Sequence, residues 1–163
     1  MSIWKLIKGI RCKQLIVLVG FFLKRPMFML STGKATSQTL DIVQEKFPGI
    51  HGKDNSANAF RHALWNYLIA VRCLKNEKNI KTILSWTKEI TDWHEDFSPN
   101  EPLARAMDLH NNQIGRALFE SHENKTEKEA IIALELKLMD AVRVDSCEEV
   151  EKHPTNLVFI DTD

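Results

Sequence analysis

Residues 58–74 read NAFRHALWNYLIAVRCL, and this stretch predicts an α-helix with an apolar face turned toward the core. Its apolar side chains recur three and four positions apart, so they share one face of an α-helix. Asp54 or Asn55 is suited to cap the helix, which we expect to run to about Leu74. A second row repeats every fourth position and is polar throughout: Asn58, His62 and Asn66.

Further helices are predicted on both sides of this segment, separated by breakers such as Thr32-Gly33 and Pro48-Gly49. After Ser146 the pattern weakens to one helical turn at 148–152 and an apolar piece at 157–160, which we expect to be extended and docked on the bundle. The fold class is therefore all-α, a single-domain bundle of about five to six helices with an apolar, amphipathic N-terminal helix. The other expected helices run over residues 34–47, 79–97, 103–119 and 127–144.

The bulk composition indicates one ordinary globular domain. With 163 residues, 44% hydrophobic and 27% charged, the chain resembles neither a disordered segment nor a multi-span membrane protein. The three cysteines, Cys12, Cys73 and Cys147, show no CxxC spacing. They favour a reducing compartment and argue against a disulfide framework or a cysteine-based zinc site.

The net charge of zero hides a segregation of charge along the chain. Seven Lys or Arg and no acid precede Asp41, whereas the remainder carries fifteen Lys or Arg against twenty-two Asp or Glu. A basic, apolar leader on an acidic body is typical of a protein that meets an anionic membrane surface. No nucleic acid partner is expected, because the body offers no basic stripe.

The leader, residues 1–30, is predicted to form a unit apart from the helical domain at 31–163. Its apolar run at 15–23 is about half of what a membrane-spanning helix needs, and no signal-peptidase site follows it. Residues 3–11 alternate apolar and cationic side chains in an amphipathic pattern. Two interpretations stay open: residues 3–30 lie on an anionic membrane, or they cap the core. The expected location is the cytoplasm. If residues 3–30 contact lipid, we expect the protein to attach peripherally to the inner membrane.

Three polar clusters lie on otherwise core-forming helices, at 58–66, 92–96 and 107–116. A buried His, Glu or Asp costs several kcal/mol unless it is paired, so we expect the clusters to partner one another. Glu95 in a last helical turn opposes the helix dipole and therefore calls for a cation or His62 nearby. Gly115 in mid-helix indicates close approach of another helix.

The candidate site follows from these clusters. His62, His94, Glu95 and Asp108 are the expected catalytic groups, and the same four are the expected ligands of a divalent metal ion, Zn, Mn, Fe or Mg. Without a metal, His62 and Glu95 would form an acid-base pair. The expected substrate contacts are Asn58, Arg61, Asn66, Asn111, Asn112 and Arg116. The chain contains no GxSxG, P-loop, GxGxxG or HExxH motif.

The motifs NAFRHALW at 58–65, His94-Glu95, and MDLHNN at 107–112 with Gly115-Arg116 resemble an uncharacterised bacterial α-helical domain family. Its members occur as small stand-alone proteins and as modules of secreted or toxin-like chains. The resemblance covers roughly residues 50–120 and carries no established reaction. It implies these motif positions: Asn58, Arg61, His62, His94, Glu95, Asp108, Asn111, Asn112 and Gly115.

The order His, His-acid, Asp on successive helices also looks loosely like metal-dependent phosphohydrolases of the HD type and helical zinc phospholipases C. This chain differs from them in having His-Glu instead of His-Asp, and in the short separation of Glu95 and Asp108.

The sequence therefore predicts a hydrolase, with or without a metal, that acts on a phosphoester or ester, including one in a membrane lipid. One alternative is a non-enzymatic membrane-associated interaction module whose polar clusters hold the helices in register. The other is a toxin-type effector. The substrate and the oligomeric state are left open.

Overall fold

The computed structural model describes residues 12–49, 54–97, 101–121 and 126–161. Within these ranges the chain forms seven helices and two short strands, which confirms the all-α prediction. The elements are α1 (Cys12–Lys24), α2 (Pro26–Lys46), α3 (Ser56–Cys73), α4 (Ile80–Phe97), α5 (Pro102–Ser121), α6 (Glu127–Met139), β1 (Val142–Arg143), α7 (Cys147–Glu151) and β2 (Val158–Phe159).

Helix α3 is the central element of the described fold. Phe60, Leu64 and Leu68 are fully buried, and α2, α4, α5 and α6 all pack around this helix. A helix that is buried on most sides needs apolar residues around most of its circumference, which α3 has. Its N-terminus is capped by Asn55, whose Oδ1 accepts the backbone N–H of Asn58 at 3.1 Å.

Helix α2 corrects the prediction that a helix begins near Lys34. It starts at Pro26, a residue favoured in the first turn, and continues through Thr32-Gly33 without a break. The Thr32 hydroxyl donates to the Phe28 carbonyl at 3.0 Å and accepts the Trp86 indole N–H at 3.1 Å, so this threonine is satisfied inside the helix. The predicted boundary between residues 30 and 31 thus lies within a helix.

The C-terminal part of the predicted helix 127–144 is also corrected. Helix α6 ends at Met139, and Val142 and Val144 donate their backbone N–H groups to Leu157 and Phe159 instead. Strands β1 and β2 pair in parallel, with Val142 opposite Val158. The pairing partner is distant in sequence, so the local apolar pattern does not reveal it. The strand pairing replaces the last predicted helical turn.

The C-terminal segment docks on the bundle, as expected for residues 157–160. Val158 joins a small second core with Met107, Val144 and Val150. The backbone N–H groups of Ile160 and Asp161 both donate to the Asp54 carbonyl, at 2.9 and 3.0 Å, just before α3. The segment therefore holds the start of α3 and the face of α5 that carries Met107.

Helix α1 is the peripheral element of the described fold. It packs through Phe21, whose ring meets Trp86 and Trp93 edge-on at 5.6 and 5.9 Å. No helix among the described residues is by itself long and apolar enough to cross a membrane, and α1 and α2 meet at a bend of 120°. The amphipathic pattern predicted at 3–11 lies outside the described residues.

Candidate functional site

Three ionisable side chains from three helices converge below the surface. His62 of α3, Glu95 of α4 and Asp108 of α5 are 3%, 1% and 3% exposed. Each offers one ligand atom, and these atoms lie within 4.8 Å of one another. The polar cluster predicted between the second, third and fourth sequence helices is therefore present, and we call these three residues the triad.

The His62 ring lies between the two carboxylates. Its Nδ1 is 3.5 Å from Glu95 Oε1, and its Nε2 is 3.2 Å from Asp108 Oδ1. Nδ1 also lies 3.2 Å from the amide oxygen Oδ1 of Asn112, whose Nδ2 donates to Glu95 Oε1 at 3.2 Å. An amide oxygen can only accept, so Nδ1 carries the proton of a neutral His62 ring. Nε2 then has its lone pair available, and Arg61 Nη2 lies 3.1 Å from it.

A network of amides supports the triad from the far side. Asn66 Nδ2 donates to Asn112 Oδ1 at 2.6 Å, and Asn66 Oδ1 accepts from Arg116 Nη1 at 2.8 Å. Thr91 adds a further donor to Asn66 Oδ1 at 3.2 Å. Asn66 and Asn112 are fully buried, so these bonds fix the side chains that contact His62.

Burial sets the protonation of the triad. Burial raises the pKa of Glu95 to about 7, because the charged carboxylate loses hydration that its neighbours only partly replace. Burial also holds the pKa of His62 well below its usual value, and the positive charges of Arg61 and His94 act in the same direction. His62 is therefore neutral near pH 7, while Glu95 exchanges a proton there.

A cleft leads from the surface to His62. Its volume is about 180 Å³, and its walls come from α2, α3 and α4. One side is hydroxyl and apolar, with Thr36, Thr39 and Leu40, and the other presents polar and cationic groups. His94 stands on the exposed rim with its ring edge-on to Trp65 at 5.3 Å, and the remaining wall residues are Arg61, His62 and Trp65.

Close contact of α3 and α5 makes this convergence geometrically feasible. A Cβ atom placed on Gly115 would lie 2.1 Å from the Ala63 carbonyl oxygen and 2.9 Å from its Cα. No side chain fits in that space, so Gly115 allows the two backbones to approach. Ala63 follows His62 in sequence, and Gly115 lies one turn after Asn111 and Asn112. The mid-helix glycine is therefore explained by its packing against α3.

Three of the predicted site residues lie apart from the triad. Asn111 binds the backbone of Val158 through both ends of its amide, at 2.8 and 3.0 Å, and so anchors β2. Asn58 Nδ2 reaches Asp54 Oδ1 at 3.4 Å near the start of α3. His94 is exposed at the cleft rim and does not belong to the group of converging ligand atoms among the described residues. The other predicted residues, Arg61, Asn66, Asn112 and Arg116, contact the triad or its supporting amides.

The family assignment follows from the span that carries the triad. Residues 19–142 match the family described as a domain of unknown function, DUF6973. The chain belongs to this family. The DUF6973 match includes α2 to α6 and hence the whole triad, which confirms the prediction of an uncharacterised domain family at that level. No curated protein is significantly similar to the chain.

Several residues that contribute to the site were not predicted from the sequence. Thr91 lies one turn before Glu95 on α4 and contacts Asn66, and this spacing of four was a usable signal. Thr36, Thr39 and Leu40 line the cleft from α2, and no local pattern predicts that α2 packs against His62. Their position depends on how α2 crosses α3, a property of tertiary packing and not of local pattern.

Proposed function

We propose that this chain is a small hydrolase that activates water at the triad to cleave a phosphoester or an ester. The observation that carries the proposal is the convergence of His62, Glu95 and Asp108, all nearly buried, with His62 lining a cleft. Burying three ionisable groups together is costly for folding, and such clusters are typical of catalytic sites.

Glu95 is the group best suited to move a proton. A carboxyl group with a pKa of about 7 is partly ionised at neutral pH, so it can take a proton from water and return it to a leaving group. Asn112 holds Glu95 in place through a 3.2 Å bond. His62 and Asp108 would position the attacking water, since His62 also lines the cleft.

The cleft favours a substrate with an anionic head and a small apolar part. Arg61 is a guanidinium donor beside His62 and is suited to a phosphate or carboxylate oxygen. Leu40 and Trp65 supply an apolar wall. A volume of about 180 Å³ accommodates a head group and not a complete lipid. We therefore expect phosphodiesters or short acyl esters to be cleaved, or the head-group region of a phospholipid.

The test is hydrolysis of bis(p-nitrophenyl) phosphate, p-nitrophenyl butyrate and phospholipid in mixed micelles by the purified full chain. Glu95→Gln and Asp108→Asn should lower kcat/KM about 100-fold or more while the proteins stay folded. Glu89→Gln is the matched control, because Glu89 is an exposed glutamate on the same helix, paired with Lys24. Absence of turnover on every substrate class, or equal activity of Glu95→Gln and Glu89→Gln, would refute the proposal.

A second candidate function is attachment to an anionic membrane surface, either with catalysis or without it. The observation that favours it is an apolar stripe on α1, with side chains exposed by 46% to 76%. The residues recur at helical spacing on one side of the helix, and Lys24 and Arg25 follow them. The stripe consists of Leu15, Ile16, Val19, Phe22 and Leu23.

Co-sedimentation with vesicles tests this attachment. The full chain should bind phosphatidylglycerol-containing vesicles more strongly than pure phosphatidylcholine vesicles, and salt should weaken the binding. The double variant Ile16→Ser, Leu23→Ser should bind at least about 10-fold less, because two large apolar side chains leave the interface. Equal partitioning of variant and wild type, or a stable dimer that forms through α1 without any vesicle binding, would rule out the membrane.

A further inference from the structure

We propose that the triad is a binding site for a first-row divalent metal ion of the Zn²⁺ type, with His62, Glu95 and Asp108 as its protein ligands. The inference deepens the proposed hydrolase and rests on it for the ion's purpose. The metal site itself can be tested by measuring metal binding, without any assay of hydrolysis.

The ligand distances suit such an ion. Zn²⁺ bonds of about 2.0–2.2 Å place tetrahedral ligand atoms roughly 3.4 Å apart. His62 Nε2 and Asp108 Oδ1 are 3.2 Å apart, and all three ligand atoms lie within 4.8 Å of one another. Glu95 Oε1 lies 3.5 Å from His62 Nδ1, on the other side of the ring, so Glu95 would have to turn toward Nε2 to complete the set. Three protein ligands leave a coordination position for water or substrate, which is the arrangement of catalytic sites rather than structural ones.

The hydrogen bond of His62 Nδ1 supports Nε2 as the nitrogen that would bind the ion. The Nδ1 proton faces Asn112 Oδ1, so Nε2 presents a lone pair toward Asp108 Oδ1 only 3.2 Å away. The Arg61 guanidinium, which interacts with Asp108 and lies 3.1 Å from Nε2, supplies positive charge beside these two electron-rich atoms. A divalent ion shared by Nε2 and Oδ1 would take over this role, and it would also offset the burial of two carboxylates.

The surroundings of the ligands resemble the outer layer of known metal sites. A histidine that binds a metal through one nitrogen usually donates its other N–H to a fixed acceptor, as Nδ1 of His62 does with Asn112. The same amide holds Glu95 Oε1 and is itself held by Asn66. One amide therefore orients two of the three ligands.

A buried amide oxygen at the start of α3, one turn before His62, is an independent indication. Asn58 is 3% exposed, and its Oδ1 accepts no hydrogen bond from the residues that the structure describes. Asn58 lies one turn before His62 on the same face of α3. An amide oxygen without a donor is costly inside a protein, and amide oxygens are ordinary ligands for divalent ions or for the water they carry.

The competing arrangement is that Arg61 serves as the cation of the cluster. Its Nη2 lies 3.1 Å from His62 Nε2, where it donates to the same lone pair that a metal would use. Arg61 is partly buried and lines the cleft, so an ion at Nε2 would require its guanidinium to move into the cleft. If an ion binds, Arg61 becomes a donor for an anionic substrate next to it.

The donor set selects the kind of ion. One imidazole with two carboxylates and no thiolate favours Zn²⁺, Mn²⁺ or Fe²⁺, whereas Mg²⁺ and Ca²⁺ favour all-oxygen sites. Zn²⁺ should bind more tightly than Mn²⁺ by the usual order of divalent affinities. When bound, such an ion lowers the pKa of adjacent water toward neutrality and polarises a phosphoryl or carbonyl oxygen.

The experiment is calorimetric titration of Zn²⁺ and Mn²⁺ into chelator-treated full chain, with metal content measured after dialysis. One equivalent should bind, and Zn²⁺ should bind more tightly than Mn²⁺. Asp108→Asn and Glu95→Gln should weaken Zn²⁺ binding about 100-fold or more. Two controls should bind Zn²⁺ within a few-fold of wild type: Glu89→Gln, and His94→Gln, which removes the histidine adjacent to Glu95 but outside the triad.

The outcomes separate this inference from the proposed hydrolase. The metal site is wrong if no stoichiometric binding occurs, or if His94→Gln weakens binding as much as Asp108→Asn. Hydrolysis that persists in chelator and is lost in Glu95→Gln would leave the hydrolase standing without a metal. One equivalent of bound Zn²⁺ without turnover of any substrate would leave the metal site standing and refute the hydrolase.

Discussion

The triad and the α1 stripe depart in opposite ways from the usual rule that ionisable side chains are exposed and large apolar side chains are buried. The triad buries three ionisable groups, all at most 3% exposed, whereas the stripe exposes large apolar side chains, with Leu23 at 76%. Both features cost stability or solubility, and neither is needed to build the helical core around Phe60 and Leu64.

The difference between the two regions lies in how their cost is offset. The triad is supported by a network in which Asn112 and Asn66 satisfy one another and their neighbours. The stripe is attached to the body through Phe21, which contacts Trp86 and Trp93. The first region thus depends on precise helix placement, and the second tolerates change.

The largest effect is expected for Gly115→Ala. The new Cβ would meet the Ala63 carbonyl at 2.1 Å, and backbone cannot give way as a side chain can, so α3 and α5 must separate. We expect a loss of about 3 kcal/mol in the free energy of unfolding, measured by urea denaturation. Gly33→Ala on α2 is the control: its Cβ would meet nothing within 4 Å, and it should gain about 0.5–1 kcal/mol. Equal stability of the two variants would show that the helices are not in close contact.

A smaller effect should distinguish two neighbouring asparagines. Asn111→Ala leaves the buried backbone of Val158 without two partners, so the free energy of unfolding should fall by about 2 kcal/mol while Zn²⁺ affinity changes little. Asn112→Ala should instead lower Zn²⁺ affinity by about 10–100-fold, because it orients His62 and Glu95. The contrast is lost if both variants change the affinity equally in the same calorimetric titration.

The smallest effect is expected on the α1 stripe. Leu23→Ser removes a side chain that is 76% exposed, so the free energy of unfolding should change by no more than about 0.5 kcal/mol. Phe21→Ser is the matched change on the packed side of α1, where the ring is 8% exposed, and it should cost about 3 kcal/mol. A large loss from Leu23→Ser in urea denaturation would mean that the stripe is covered in solution.

Much of the fold was predictable from local pattern. The period of α3 and the cap at Asn55 located the central helix, and α4 and α5 ended within a few residues of expectation. The predicted start of α2 and the predicted end of α6 were wrong, because tertiary contacts determine where these helices begin and end. The Thr32 hydroxyl accepts from the Trp86 indole, and the Val142 backbone N–H donates to the Leu157 carbonyl. Neither partner is near in sequence.

The residues of the candidate site were predictable from the sequence, but the separate role of each residue was not. Polar side chains on core helices pointed to His62, Glu95 and Asp108, because burial demands partners. Asn111 and Asn112 look equivalent in sequence, yet a rotation of one helical position turns one toward β2 and the other toward His62. Only the packing of the C-terminal segment against α5 separates their roles.

If the triad serves chemistry, as we propose, it should weaken the fold. Glu95→Gln in chelator tests it directly, because burial raises the pKa of this carboxyl from 4.5 to about 7. A raised carboxyl pKa favours folding below pH 4.5, and this contribution is lost as the pH rises through 7, where wild type must bury a charge. The neutral glutamine avoids that charge.

We therefore expect Glu95→Gln to raise the Tm by about 5 °C at pH 8 and to show little difference from wild type near pH 4. If Glu95→Gln instead lowers the Tm at pH 8, the triad holds the helices in register and the hydrolytic account of this site is contradicted.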